Sequence, residues 1–150
     1  MSTRKILFAT DFSLASTRAL HVASSLARDT GDALLIVHVC ETQTHSGGEL
    51  PDEGFQASDA DLSKLHAVVP TGPKISCEYR LLYGQPANTI VELATREDVD
   101  AIVLSTHGDS RVHHLQTGSV AQAVMRDAHC AVIAYKPPTH VPPAESMHSA

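Results

Sequence analysis

The sequence predicts an α/β fold: a doubly wound parallel sheet of five strands in the order 3-2-1-4-5, with helices on both faces. Short apolar segments alternate along the chain with segments in which apolar residues recur at helical spacing, a pattern typical of a parallel sheet. Only the third strand segment alternates residue by residue, as expected of a strand at a sheet edge. Apolar residues make up 43% of the chain but aromatic residues only 4%, so the core must be aliphatic.

The first half of the chain predicts two buried strands around one helix. Residues 6–9 form a continuous apolar segment of strand length, and residues 33–39 form a second strand segment that is apolar apart from His38. Between them, apolar residues recur at helical spacing after the turn and N-cap residues 10–13, and Gly31 provides a helix stop. The acidic, glycine-containing stretch 41–54 predicts a loop.

The second half continues the same alternation. In the third strand segment, Leu82 is the one apolar residue on the otherwise polar side. The predicted elements are a modest helix over 55–69, a strand over 75–83, a helix opened by Gly84-Gln85-Pro86, a strand over 101–104, a helix from Gly118-Ser119, and a last strand over 131–135. An edge position for the third strand fits the order 3-2-1-4-5.

A single domain is expected over residues 1–136. The length of 150 residues suits one domain with one hydrophobic core. From residue 137 onward the chain is rich in proline and ends in polar residues. Residues 137–150 are therefore expected to be an unstructured tail.

Composition also argues against several functional classes. The formal net charge is −6 and the 11 basic residues are scattered, which argues against nonspecific nucleic-acid binding. The amino-terminal apolar segment is too short for a secretion signal, and no apolar stretch approaches the ~20 residues of a membrane span, so a cytoplasmic protein is expected. Cys40, Cys77 and Cys130 lack metal or redox spacing and are expected to be small buried residues in a reducing compartment.

A candidate anion site follows the fourth strand. Gly108 lies just past this strand, and nine residues separate it from Gly118, which precedes Ser119 at a helix start. Glycine permits close backbone approach, and a helix start offers free N–H groups with partial positive charge, which suit a phosphate. In the order 3-2-1-4-5 the switch point lies between strands 1 and 4, so this segment is expected to meet Thr10 and Asp11 at the carboxyl ends of the strands.

The same segment resembles a known family. Ser105-Thr106-His107-Gly108, nine residues, and then Gly118-Ser119-Val120-Ala121 look like the C-terminal signature of the universal stress protein family, whose nucleotide-binding branch has the pattern G-x2-G-x9-G-[S/T]. Residues 6–13 and 84–103 are similar to the same family, so the resemblance covers nearly the whole chain before the tail. It implies a stress-response regulator that binds ATP or a similar adenine nucleotide, with Mg²⁺.

Carried over residue by residue, the resemblance implies a nucleotide site. Its residues are Thr10, Asp11, Val39, Leu104, Ser105, Gly108, Gly118, Ser119 and Val120. Asp11 would lie by the ribose, the backbone of Val39 at the adenine, and the glycines with the helix start at the phosphates. Ser105 takes the place of the first glycine of the pattern. The resemblance further implies a homodimer through the strand 131–135.

Alternatives remain open at this point. Ser105, and Asp109 beside the expected phosphates, favour a dimeric interaction module of the same fold that binds no nucleotide. A slow ATP hydrolase is a third alternative, although no catalytic residue can be named. Asp11 is also a strong N-cap residue, so capping of the first helix and ligand contact are both expected of it.

The histidines are not expected to bind a metal. His107, His113 and His114 share one loop but lack the spacing of a metal-binding helical pair, so they are expected to be solvated loop residues. His38 lies within a buried segment and is expected to be a hydrogen-bonded core residue. If ATP binds, the loop 109–117 is expected to report its presence.

Overall fold

The computed structural model describes residues 4–41, 59–72, 74–106 and 119–136. Strands and helices alternate through these residues. The elements are β1 (Lys5–Ala9), α1 (Leu14–Thr30), β2 (Ala33–Cys40), α2 (Asp59–His66), β3 (Cys77–Tyr83), α3 (Pro86–Arg96), β4 (Ala101–Ser105), α4 (Ser119–Asp127) and β5 (Ala131–Tyr135).

The five strands form one parallel sheet in the order β3-β2-β1-β4-β5. β1 lies at the centre, where Phe8 pairs with Ile36 of β2 on one side and with Val103 of β4 on the other. The predicted fold class and strand order are therefore confirmed, with β3 at an edge. The chain steps from β1 to β2 in one direction and from β3 to β4 in the other, so right-handed crossovers place α1 and α3 on opposite faces.

Two aliphatic cores enclose the sheet. Helices α1 and α2 pack over the face that carries Ile6, Phe8 and Ile36. Helices α3 and α4 pack over the opposite face, which carries Leu7 and Val37. These five side chains are at most 1% exposed, as expected for central parallel strands that are covered on both sides.

Local sequence signals set the ends of the helices. Ser13 is the N-cap of α1, and its Oγ accepts a hydrogen bond of 3.1 Å from the N–H of Ser16. Gly31 ends α1 with a left-handed φ of 77°, and its N–H donates to the carbonyl of Ala27. Pro86 occupies the first turn of α3, where no backbone N–H is needed. The predicted stop at Gly31 and start near Pro86 are both confirmed.

Other boundaries differ from the prediction. Of the helix predicted over 55–69, the described part ends at His66, because Pro70 disfavours helical backbone in the residue before it. β3 begins at Cys77 rather than at residue 75. The predicted loop lies mostly, and the predicted tail entirely, outside the described residues. No helix in the described part of the chain is long and apolar enough to cross a membrane.

The polar side of β3 faces α3 and is occupied by ion pairs. Lys5 Nζ lies 3.1 Å from the carboxylates of both Glu78 and Glu97. Arg80 joins the same cluster at 3.5 Å from Glu97. The hydrogen bond from Lys5 lowers the pKa of Glu97. The charged residues that alternate along β3 therefore contact an ion-pair cluster beneath α3 as well as solvent.

The expectation that the three cysteines are buried is wrong. Cys40, Cys77 and Cys130 are free thiols, and each is only partly buried. Desolvation raises the pKa of Cys130, and desolvation with the nearby carboxylate of Asp61 raises the pKa of Cys40. A raised pKa keeps a thiol in its unreactive protonated form, which argues against Cys40 and Cys130 as nucleophiles.

Candidate functional site

The switch point of the sheet lies between β1 and β4, which are neighbours, and the space at their carboxyl ends is called the crevice below. From β1 the chain passes into α1 on one face, and from β4 it passes towards α4 on the other face. Ligands of open parallel sheets bind where successive connections diverge in this way. The segments that border the crevice are Thr10-Asp11 after β1 and Ser105-Thr106 at the end of β4.

Thr10 is fixed by hydrogen bonds on every polar group. Its N–H donates to the carbonyl of Val37 at 2.9 Å, and its Oγ1 accepts from the N–H of Phe12 at 3.0 Å. Its carbonyl lies 2.7 Å from Nδ1 of His38. The side chain is buried and only 7% exposed, so Thr10 shapes the crevice from below rather than offering a free hydroxyl.

Asp11 is exposed, and its carboxylate is held in one orientation. Oδ1 accepts a hydrogen bond of 2.6 Å from the hydroxyl of Ser16 and one of 2.9 Å from the N–H of Ser13. The N–H of Asp11 in turn donates to the Ser16 hydroxyl at 3.2 Å. A carboxylate oriented in this way at the mouth of the crevice can accept hydrogen bonds from a polyhydroxylated ligand.

The expectation that Asp11 caps α1 is wrong. Ser13 is the N-cap residue, with extended backbone and its own hydroxyl on the N–H of Ser16. Asp11 instead accepts from the N–H two residues later, which is the geometry of an Asx turn. The sequence does indicate Ser13 as the N-cap, because serine is as good an N-cap residue as aspartate and Ser13 lies directly before the helix.

Val39 and Leu104 contribute backbone rather than side chains to this edge of the sheet. Val39 is 9% exposed and Leu104 is 4% exposed, and both belong to the core beneath α3 and α4. Each lies next to the last residue of its strand. Only their peptide groups are therefore suited to contact a ligand at the carboxyl edge.

Ser105 is the last residue of β4 and pairs in register with Tyr135 of β5. Its side chain lies on the α1 side of the sheet, because Leu104 before it points into the core under α4 and strand residues alternate. Any residue type can adopt the extended backbone conformation of a strand. The backbone here does not require the glycine that Ser105 replaces, although a side chain is added beside the crevice.

The start of α4 borders the crevice from the other face. α4 begins at the exposed Ser119 and runs back against the sheet through Ala121 and Val124, so its amino terminus lies at the carboxyl ends of the strands. Val120 follows Ser119 in the first turn and is half-buried. The helix dipole, and the first N–H groups of a helix, which have no partner within the helix itself, make this end attractive to an anion. Gly108 and Gly118, the remaining predicted site residues, lie outside the described residues.

The structure adds residues that the sequence did not indicate. Ser13 and Ser16 orient Asp11, and both are buried, with Ser16 2% exposed. The hydrogen bond expected of His38 is present, to the carbonyl of Thr10, 28 positions away, but the side chain is half-buried and not part of the core. Thr106 is also buried, and its N–H donates to the carbonyl of Tyr135.

Among the described residues there is no cluster of three or more histidine, cysteine or acidic side chains that could hold a metal ion. Asp32 and Asp100 form a carboxyl pair at the opposite end of the sheet, with Arg4 3.3 Å from Asp100. Desolvation, and then the neighbouring Asp100, raise the pKa of Asp32. No such pair was expected from sequence.

The sequence pattern of the universal stress protein family matches residues 2–136. The chain belongs to the universal stress protein family. A universal stress protein of Methanocaldococcus jannaschii is 32% identical over 145 residues, which cover 90% of this chain and 83% of the relative.

Solved structures agree with this assignment. The hypothetical protein MJ0577 matches this universal stress protein with a TM-score of 0.70 at 21% identity, over 93% of this chain and 100% of its own, which shows a common fold. The universal stress protein from Archaeoglobus fulgidus in complex with dAMP matches with a TM-score of 0.59 at 26% identity, over 89% of this chain and 98% of its own.

Proposed function

We propose that this universal stress protein binds an adenine nucleotide in the crevice between β1 and β4. The observation that carries the proposal is the placement of two groups at the same edge of the sheet: the oriented carboxylate of Asp11 after β1 and the start of α4 at Ser119. The hydroxyls of a ribose need hydrogen-bond acceptors, which the Asp11 carboxylate offers. A phosphate needs hydrogen-bond donors, which the N–H groups at the start of α4 offer. The relative from Archaeoglobus fulgidus that was solved with dAMP supports the same ligand class.

Each part of the nucleotide has a proposed partner. Asp11 accepts from the ribose hydroxyls, and the backbone of Val39 recognises the adenine edge. The phosphates lie at Ser119 and Val120 together with Gly108 and Gly118, while Thr10, Leu104 and Ser105 form the strand ends beneath the ligand. ATP with Mg²⁺ is the form we propose, and Mg²⁺ would be held chiefly by the phosphate oxygens, with few protein ligands.

Thermal shift and calorimetry test this function. ATP, AMP and GTP are compared, with and without Mg²⁺. A ligand at a hundredfold excess over its Kd stabilises the folded state by about 2.7 kcal/mol, which corresponds to roughly 5–10 °C in Tm for a domain of this size. We expect this shift with ATP and AMP and a smaller one with GTP. No shift with any adenine nucleotide at millimolar concentration would contradict the proposal.

Asp11→Asn locates the ligand. Asparagine keeps an acceptor for the N–H of Ser13 but removes the charge, and a hydrogen bond to a charged group contributes about 1.5–3 kcal/mol. We expect the Kd of AMP to rise at least tenfold. Asp29→Asn is the matched control, because Asp29 is an exposed carboxylate on α1 and its loss changes the net charge equally. Equal effects of the two substitutions would indicate general electrostatics instead of a ribose contact.

The second candidate is a dimeric interaction module that binds no nucleotide. The added side chain of Ser105 at the edge of the crevice favours it. If the unsubstituted protein ignores ATP but Ser105→Gly binds it, the serine has closed the site and this second function is correct. In both cases we propose a homodimer through β5, which is one of the two outer strands of the sheet. Light scattering should then give a mass of twice 16.0 kDa.

We further propose that the bound nucleotide regulates a stress response through the loop 109–117, which connects Ser105-Thr106 to α4. Slow hydrolysis of ATP is tested in the same samples by phosphate release. No phosphate release by the unsubstituted protein at saturating ATP would exclude the hydrolase alternative.

A further inference from the structure

The backbone of Thr10 is hydrogen-bonded to two successive residues of β2, Val37 and His38. Its N–H donates to the carbonyl of Val37 at 2.9 Å, which continues the parallel ladder beyond the last residue of β1. Its carbonyl then lies 2.7 Å from Nδ1 of His38, whose side chain is half-buried on the α1 side of the sheet. The end of β1 is therefore held by one backbone group and one imidazole.

The proton of this contact can be assigned. A backbone carbonyl only accepts hydrogen bonds, so Nδ1 of His38 must carry the hydrogen, whether the ring is neutral or charged. In the neutral ring, Nε2 is then the unprotonated nitrogen. A histidine with no partner at Nδ1 is under no such constraint, so the tautomer reports this bond directly.

The same imidazole also supports the residue after Asp11. Phe12 has a φ of 66°, a left-handed conformation that is uncommon for a bulky residue and persists only where the surroundings enforce it. Its ring lies against that of His38, with centroids 4.2 Å apart. The ammonium of Lys64 on α2 lies 6.0 Å from the Phe12 ring. His38 thus contacts the residues on both sides of Asp11.

We propose that His38 is a positioning residue of the nucleotide site, which holds the turn Thr10–Phe12 so that Asp11 presents its carboxylate to the ribose. This inference rests on the proposed function. His38 does not contact the ligand; it acts through the Thr10 carbonyl and the Phe12 ring. The bonds from Ser13 and Ser16 orient the Asp11 side chain, whereas His38 sets the backbone from which that side chain projects.

Two substitutions separate the two contacts of His38. His38→Phe keeps a ring against Phe12 but removes the donor to Thr10. His38→Asn loses the ring but retains an N–H donor at the δ position. Tyr79→Phe is the control, because it deletes one side-chain hydrogen bond to a backbone carbonyl, that of Val68 at 2.8 Å, on the same face of the sheet and away from the crevice.

The Kd values of AMP and ATP are measured for all three variants. We expect His38→Phe to raise both at least fivefold, and His38→Asn, which keeps the donor to Thr10 but loses the ring contact with Phe12, to raise them by a smaller factor than His38→Phe does. Tyr79→Phe should leave them within twofold. Nitrogen-detected NMR of the unsubstituted protein at pH 8 should show a protonated Nδ1 and an unprotonated Nε2 on His38.

A second readout does not depend on any ligand. The N–H of Ser13 is bonded to Asp11, so its hydrogen exchange reports whether the turn is ordered. We expect at least fivefold faster exchange at Ser13 in His38→Phe and no change in Tyr79→Phe. Failure of the unsubstituted protein to bind AMP or ATP overturns the proposed function. Binding that His38→Phe leaves unchanged, or unchanged Ser13 exchange, overturns the positioning role of His38.

Discussion

Replacing Ser16 with alanine removes the hydroxyl that joins Asp11 to α1. This hydroxyl is 2% exposed, donates to Asp11 Oδ1 at 2.6 Å and accepts from the Asp11 N–H at 3.2 Å. A hydrogen bond to a charged group contributes about 1.5–3 kcal/mol, and the low end applies because Asp11 is exposed and water can replace part of the bond. Alanine recovers about 0.5 kcal/mol of helix propensity. The expected net loss is about 1 kcal/mol, or roughly 2–4 °C in Tm.

Urea denaturation measures this loss, and nucleotide titration separates it from the function of the site. Ser24→Ala is the matched control, because Ser24 is a fully buried serine of the same helix whose hydroxyl accepts from the N–H of Thr71. We expect both variants to lose stability, but only Ser16→Ala to weaken AMP binding, by about threefold to tenfold. A Ser16→Ala protein with an unchanged urea midpoint would refute the bonded geometry of Asp11. Equal weakening of AMP binding in the two variants would refute its link to the ligand.

Two further predictions concern stability alone. Gly31→Ala should cost about 1 kcal/mol in urea denaturation, because Gly31 ends α1 at a φ of 77° while its surroundings leave open space for a side chain, so only backbone strain is added; a neutral result would mean that α1 ends differently. Asp32→Asn should raise the free energy of unfolding at pH 7 by less than about 1 kcal/mol. The pKa of Asp32 is raised in the folded state, so ionisation of this carboxyl destabilises the fold as the pH rises above its ordinary pKa of 3.8. Asparagine resembles the protonated form and avoids this loss. The gain should vanish near pH 3, and a larger gain there than at pH 7 would contradict the sign.

Much of the fold could be predicted from local patterns. The buried segments around Phe8 and Val103 are continuous apolar stretches, the alternation at β3 marked the edge strand, and Gly31 and Pro86 marked helix ends. Each of these signals lies within a few residues of what it predicts, because hydrophobic periodicity and backbone preference are local properties. The expected edge position of β3 fitted the strand order 3-2-1-4-5, which the structure confirms.

The candidate site was predictable in location but not in detail. Thr10 and Asp11 were expected at the crevice, and the structure brings them to the carboxyl end of β1 beside β4. The capping role was assigned to Asp11 instead of Ser13 because both residue types suit an N-cap and only the helix start distinguishes them. The roles of Gly108 and Gly118 in phosphate binding stay predictions.

The sequence by itself determined the α/β class, the order of elements, the aliphatic core and the family signature, since each is written in residues that are close together along the chain. Only the tertiary structure decided that His38 holds Thr10 from 28 positions away, that Lys5 bridges Glu78 and Glu97, and that Asp32 meets Asp100. These contacts join different strands and loops. A side chain's type limits which partners it can accept, but the packing of the sheet selects the one that lies within hydrogen-bond distance.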